Sequence, residues 1–281
     1  MKIGITGATG QLGHLVVAKL KEKTSTENLV ALVRTPEKAS ALGIDAKAFD
    51  YAKVDTQVEM LKGIDTLLLI SGNEIGQREL QHKNVIKSAK KAGVKWIVYT
   101  SLLRADTSTL SLAPEHLATE IALKESGLDY TILRNGWYTE NYTNSAPVAV
   151  KNGAFIGSAG DGKIASAARA DYAEAAAIVL TTEGNEGKTF ELAGDTSFTL
   201  SELAAEISKQ TGKEIPYTNL LEEKYAEILV SVGLPEGLSK AIAGWDVSAS
   251  KGDLFDDGKV LSGILGHPTT PLADIVKVAL A

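Results

Sequence analysis

The sequence predicts a doubly wound α/β fold with a parallel sheet, followed by a smaller, mainly helical C-terminal lobe. Three observations carry that prediction. Short β-rich runs alternate with helix-like segments through the first half of the chain. The runs are apolar at consecutive positions, as strands covered by helices on both faces are. The first run leads straight into a glycine-rich turn and a helix. Such alternation demands right-handed crossovers, which makes the sheet one of the Rossmann kind.

Six strands are expected at Ile3–Thr6, Leu29–Val33, Ala46–Phe49, Thr66–Ile70, Trp96–Thr100 and Tyr130–Leu133. Helical periodicity fills the intervals at Gln11–Lys21, Pro36–Leu42, Thr56–Leu61, Gln77–Ala92 and Leu112–Ser126. Pro36 suits a first helical turn, and Gly93 and Gly127 stand where a helix ends in a left-handed residue. After Leu133 the rhythm breaks. Residues 135–166 are rich in Gly, Asn, Ser and aromatics, and read as loop with one helix. Residues 170–182 read as a helix and 189–193 as a strand. Thr199-Leu200-Ser201-Glu202 is a capping box opening the helix Leu203–Thr211. The remainder, 212–281, reads as mainly helical with a loop around Pro216.

Composition excludes several classes of function. The 281 residues carry 29 Lys+Arg against 35 Asp+Glu, a net charge of −6, so the basic field of a nucleic-acid binder is missing. With 44% hydrophobic and 23% charged residues the chain is globular, not disordered. The absence of cysteine removes disulfides, thiolate catalysis and Cys-ligated metals. His14, His82, His116 and His267 form no metal-ligand spacing, so no metal is expected. No apolar run approaches the ~20 residues of a membrane span. Glycine follows Met1 too closely for a signal peptide, and a cytoplasmic location is expected.

The turn after the first strand reads Gly7-Ala8-Thr9-Gly10-Gln11-Leu12-Gly13. A tight strand-to-helix turn needs glycine, and a phosphate reaches the backbone only where no Cβ intervenes. The spacing G-x-x-G-x-x-G is the short-chain dehydrogenase variant of the dinucleotide fingerprint. Gly7, Ala8, Thr9, Gly10, Gln11 and Leu12 are thus candidates for the pyrophosphate. At the end of strand two, where an NAD enzyme places Asp or Glu, stands Arg34. A guanidinium there suits the 2′-phosphate of NADP, so the expected cofactor is NADPH. The alternative is that Arg34, with Lys38 one turn on, is a solvated surface cation. Asp50 after strand three would flank the adenine, or equally cap the next helix. Ser71, Gly72 and Asn73 after strand four would lie beside the nicotinamide ribose. Residues 1–134 form the expected NADP-binding domain, with parts of 155–193 returning to it. The smaller substrate-binding lobe is expected over 135–154 and 194–281.

The glycine turn, Val33-Arg34, Tyr99-Thr100-Ser101 and Leu133-Arg134-Asn135-Gly136-Trp137-Tyr138 resemble the NmrA-like atypical short-chain dehydrogenases. Within them the likeness is greatest to the bacterial type-2 NADPH:quinone oxidoreductases, with triphenylmethane reductase a near relative. It extends through Ile164-Ala165-Ser166-Ala167, Arg169-Ala170-Asp171-Tyr172, Ser250-Lys251-Gly252 and Gly266-His267-Pro268-Thr269, over essentially the whole chain. The resemblance implies flavin-free hydride transfer from NADPH to a quinone, here expected between the two lobes.

Ordinary short-chain dehydrogenases carry Tyr-x-x-x-Lys on the helix after strand five, where the tyrosine protonates a carbonyl. Here His116 and Glu120 hold that spacing, so alcohol dehydrogenation is disfavoured. Quinone reduction tolerates the loss, because the product anion is delocalised into an aromatic ring and solvent protonates it. What remains is positioning. Trp137 and Tyr138 offer a flat platform, unless they only seal the two lobes. Asn135, Gly136 and Asn141 would hydrogen-bond a quinone oxygen or the nicotinamide end. No catalytic residue is assigned, and His116 and Tyr138 are the candidates. A neutral His116 biased by Glu120 would protonate the product. The other reading is an incidental pair on a solvated helix face. Two alternatives stay open for the whole chain: a non-catalytic NADP(H) sensor of the NmrA type, and a reductase of triphenylmethane dyes. A homo-oligomer is compatible with either.

Overall fold

A computed structural model describes residues 1–281. The first elements are β1 (Ile3–Thr6), α1 (Gly13–Lys21), β2 (Leu29–Val33), β3 (Asp45–Ala48), α2 (Val54–Leu61), β4 (Thr66–Leu69), α3 (Arg78–Ala92), β5 (Trp96–Leu102), α4 (Ala113–Ser126) and β6 (Asp129–Asn135). There follow α5 (Glu140–Thr143), α6 (Ala146–Asn152), β7 (Phe155–Gly157), α7 (Arg169–Thr181), β8 (Thr189–Leu192), α8 (Leu200–Thr211) and β9 (Tyr217–Asn219). Four helices close the chain: α9 (Glu222–Ser231), α10 (Glu236–Ser250), α11 (Val260–Leu265) and α12 (Leu272–Ala279).

The chain divides into two units. The first comprises Met1–Asp106, Leu112–Asn135 and Arg169–Leu192. Its seven strands are all parallel in the order β3-β2-β1-β4-β5-β6-β8. The order reverses between β1 and β4, and at such a switch point the strand ends part to leave a crevice for a ligand. β1, β2, β4 and β5 are buried along their whole length, as their unbroken apolar runs require. β3 reads Asp-Ala-Lys-Ala and is largely exposed because it is an edge strand, where charge discourages pairing with another chain.

Where the structure departs from the expected boundaries, the reason is local. β5 and β6 run on to Leu102 and Asn135, pairing residue for residue past Thr100 and Leu133. The apolar run stops there, but Glu120 takes up the polar side chains of Ser101 and Arg134, so the backbone ladder continues. Pro36–Leu42 forms 3-10 turns instead of an α-helix, and leaves them at Gly43 (φ +60°). Gly93 and Gly127 end α3 and α4 in the left-handed conformation that their positions suggested.

The second unit comprises Thr107–Ser111, Gly136–Ala168 and Ala193–Ala281. The 107–111 segment groups here although it lies inside the 1–134 span. Thr109 bonds Asp253 through both its amide and its hydroxyl, and Trp245 Nε1 donates to Ser111 Oγ at 3.0 Å. Residues 135–166 hold two short helices and a strand where one helix was expected. β7 and β9, three residues each, pair in parallel as a separate small sheet. β9 falls in the tract read as mainly helical. A three-residue strand has no periodicity to reveal it.

Candidate functional site

The carboxyl edge of the first unit's sheet gathers every predicted cofactor residue. Gly7 leaves β1 with φ +60°, and its N–H still bonds the Leu32 carbonyl at 3.1 Å. Gly10 N–H then folds back onto the Gly7 carbonyl at 2.8 Å. A Cβ on Gly13 would fall 2.2 Å from Gly7 O and 2.7 Å from Ala8 Cα, so α1 reaches the strand only with glycine there. Leu12 caps α1 without a side-chain hydrogen bond, and its first turn has no acid. Ala8 and Leu12 are buried, while Gly7, Thr9, Gly10 and Gln11 face solvent. An uncapped, acid-free helix start under a glycine turn fits a pyrophosphate.

Arg34, immediately past β2, is 67% exposed at its side chain and stands 3.5 Å from Glu74 of the β4–α3 turn. An exposed pair of that length is weak, so the guanidinium is available to a phosphate. Asp50 is placed differently from a helix cap. Its carboxylate accepts from Ala52 N at 3.0 Å, and Lys53 holds the cap position of α2. Asp50 therefore shapes the turn after β3.

The turn after β4 shows residues that spacing alone did not reveal. Tyr51 Oη lies 2.6 Å from both Thr6 Oγ1 and the Ile70 carbonyl, with burial holding its phenol well above the ordinary range. Ile70 N donates to Thr6 Oγ1 and Ser71 N to Thr100 Oγ1, each at 2.9 Å. Gly72 donates to His82 Nε2 and accepts from Arg78 Nε. A Cβ on Gly72 would meet the Tyr51 ring at 3.3 Å, a tight contact that the ring could take only by shifting a few tenths of an ångström.

His116 and Glu120 share a buried face of α4, which overturns the solvated-face reading: they are 5% and 0% exposed. They are not a pair either. Tyr99 Oη meets His116 Nδ1 at 2.8 Å. Burial, then the neighbouring Arg78 and His82, push His116 down to about 3, so it is neutral near pH 7 and Glu120 does not bias it. Glu120 is gripped by Arg134, whose Nε and Nη2 reach its two oxygens at 2.9 and 2.8 Å, while Ser101 Oγ donates to it at 2.6 Å. Arg134 Nη1 also reaches Asp106 and Glu191. Asn135, at the end of β6, is 4% exposed and its Oδ1 is buried without a hydrogen-bond partner. An orphaned acceptor there fits an amide N–H of a ligand better than a quinone oxygen.

Gly136, Trp137, Tyr138 and Asn141 belong to the second unit. Their loop is strapped to residues 165–167: Ala167 N donates to the Trp137 carbonyl at 3.1 Å and Thr139 N to the Ala167 carbonyl at 3.0 Å. Trp137 is only 9% exposed and meets Trp245 edge-on, with ring centroids 5.6 Å apart. Gly136 is buried, Tyr138 is half-buried and Asn141 is exposed. Trp137 is thus mostly covered, and of these four residues Tyr138 on the loop and Asn141 on α5 are the ones that solvent reaches.

Known proteins match this arrangement along its length. The profile of the NAD(P)H-binding family matches residues 7–183. Quinone oxidoreductase 2 of Escherichia coli is 57% identical over 98% of this chain and 97% of its own. The structure of an NADPH-dependent quinone oxidoreductase from E. coli complexed with NADPH superimposes with a TM-score of 0.97 at 56% identity, covering 99% of this chain and all of that one. Triphenylmethane reductase of Citrobacter sp. complexed with NADP(H) gives 0.96 at 37% identity, covering 99% of this chain and all of its own.

Proposed function

The chain belongs to the NAD(P)H-binding, NmrA-like family, and on that premise we propose that it is an NADPH-dependent quinone oxidoreductase working without flavin. The observation that carries the reading is the full-length likeness to the E. coli enzyme whose structure holds NADPH. The residues fit the cofactor. Amides at the start of α1 would hold the pyrophosphate and Arg34 the 2′-phosphate, while Asn135 Oδ1 would accept from the carboxamide. NADPH, when bound, supplies a hydride.

The chain's own residues then have positioning to do and little acid catalysis. At the positions of the tyrosine and lysine of alcohol dehydrogenation stand His116 and Glu120, which are engaged by Tyr99 and Arg134. A quinone that gains a hydride becomes a phenolate stabilised by its new aromaticity, and one proton from water completes the hydroquinone. Quinone, NADPH and a proton thus give hydroquinone and NADP⁺. Tyr138 and Asn141, which solvent reaches, would orient the flat acceptor.

The test is oxidation of NADPH by a panel of quinones, followed by loss of the reduced-nicotinamide absorbance, with NADH in parallel. Quinone-dependent oxidation, much faster with NADPH, is the expected result. Tight NADPH binding with no oxidation would move the protein to the sensor class. A second reading, reduction of a triphenylmethane dye, is favoured by the 37% identity to the Citrobacter reductase, and one such dye belongs in the panel.

A further inference from the structure

Beyond Leu69 the backbone of β4 pairs with neither β1 nor β5, so its departing polar groups need other partners. Side chains supply them. Thr6 takes Ile70 N, Thr100 takes Ser71 N, and α3 takes both polar groups of Gly72. His82 Nε2 accepts the Gly72 N–H at 3.0 Å, and Arg78 Nε donates to the Gly72 carbonyl. Both side chains are nine-tenths buried or more, His82 completely.

The histidine's proton is fixed by the same network. An Nε2 that accepts requires the proton on Nδ1. His82 Nδ1 lies 3.0 Å from Thr119 Oγ1, and the Thr119 hydroxyl donates its own proton to the Glu115 carbonyl at 2.9 Å. Thr119 can therefore only receive from the ring, which locks the tautomer. The rings of Tyr51 and Tyr99 meet His82 at steep angles, with centroids 5.8 and 5.5 Å away, and bar rotation. Burial and the neighbouring Arg78 push its pKa down to about 3, so near neutrality the ring stays an acceptor.

We propose that His82 is a positioning residue for NADPH. It fixes the peptide plane at Gly72 and thereby presents Ser71 and Asn73 at the carboxyl edge of the sheet. The polar groups of Gly72 are themselves occupied, so recognition at this turn falls to its two neighbours. The inference rests on the reading above that residues 71–73 flank the cofactor, and it names His82, with Thr119 behind it, as what holds them there.

Calorimetric titration with NADPH tests it on three variants. His82→Leu removes the acceptor at similar bulk, His82→Gln keeps an oxygen near the Nε2 position, and Thr119→Val frees the tautomer at constant volume. Loss of one buried hydrogen bond of this kind predicts about tenfold weaker NADPH binding for His82→Leu. A smaller loss is expected for Thr119→Val and near-complete recovery for His82→Gln. The KM for NADPH should rise by more than kcat falls, and exchange of the Gly72 amide with solvent should accelerate in His82→Leu but not in His82→Gln. Wild-type affinity in His82→Leu overturns the proposal. So does equal weakening in His82→Gln and His82→Leu, which would mean the ring matters only for packing. Should His82→Leu fail to fold, wild-type affinity together with wild-type Gly72 exchange in Thr119→Val overturns it just as well. Because affinity is the readout, the outcome does not depend on whether any quinone is reduced.

Discussion

Arg134 and Glu120 illustrate how one buried residue obliges another. Glu120 has no exposed surface, and Arg134 meets its carboxylate with a two-pronged fork. Replacing Arg134 by Met would strand that charge, and breaking a buried pair from one side costs about 3–5 kcal/mol. Urea denaturation of Arg134→Met should show that loss. A change under ~1 kcal/mol would mean that the fork on Glu120 contributes little to the fold. Arg34 is the opposite case, exposed and only loosely paired. Arg34→Ala should leave stability unchanged and weaken NADPH about 10- to 100-fold, with NADH little affected, since charge-assisted bonds to the 2′-phosphate are lost. Equal losses for the two cofactors would remove Arg34 from the 2′-phosphate. His116, held neutral by burial, should contribute no inflection between pH 5.5 and 7.5 to kcat/KM for the quinone. An inflection there that vanishes in His116→Phe would reinstate it as the proton donor.

Among the elements, α8 was announced by its cap, although it starts at Leu200, three residues before the expected Leu203. The reason is that a capping box sets its own Thr199 at the N-cap, and the helix begins at the next residue. Thr199 Oγ1 accepts from Glu202 N at 3.1 Å, and Glu202 returns to Thr199 N at 2.7 Å, completing the reciprocal cap its spacing announced. Thr199→Ala should cost about 1 kcal/mol in chemical denaturation, and Thr199→Ser almost nothing. Strands β1 and β2 were equally plain, because two covered faces demand an uninterrupted apolar run. The ends of β5 and β6 were not. Ser101, Arg134 and Asn135 look like loop residues until Glu120, itself on another helix, is brought against Ser101 and Arg134. The same holds for the site. The glycine turn and Arg34 are contiguous with their strands and could be read directly. The hold on residues 70–72 joins residues from β1, β5, α3 and α4, and no spacing rule connects Thr6, Thr100, His82 and Thr119. His116 and Glu120 showed the right helical face but not its burial, because α4 has little contrast between its faces once Arg134 is unseen.

For the whole molecule, buried titratable groups set how stability responds to acid. His82 and His116 are pushed down to about 3 by burial, with Arg78 adding to both. The unfolded chain protonates each near its ordinary value of ~6.5, so between pH 6.5 and 3 the unfolded state binds up to two more protons than the native one. Stability must then fall as pH falls. Asp246 acts in the other direction. Burial raises its carboxyl to about 6, against hydrogen bonds from Ser158 N and Tyr142 Oη that favour the charged form. The folded state therefore holds a proton on Asp246 that the unfolded state releases until near pH 4. From pH 6 to 4 these three groups leave a net difference of about one proton, or about 1.4 kcal/mol lost per pH unit. Asp246→Asn removes the opposing proton. Its absolute stability should drop, because one amide cannot accept both bonds, and its slope should steepen towards about 2.7 kcal/mol per pH unit. Urea titrations at pH 6, 5 and 4 on both proteins read the two slopes directly. Parallel slopes would mean that Asp246 is ionised in the folded protein, held so by Ser158 and Tyr142, and that the two histidines alone carry the acid sensitivity of the three.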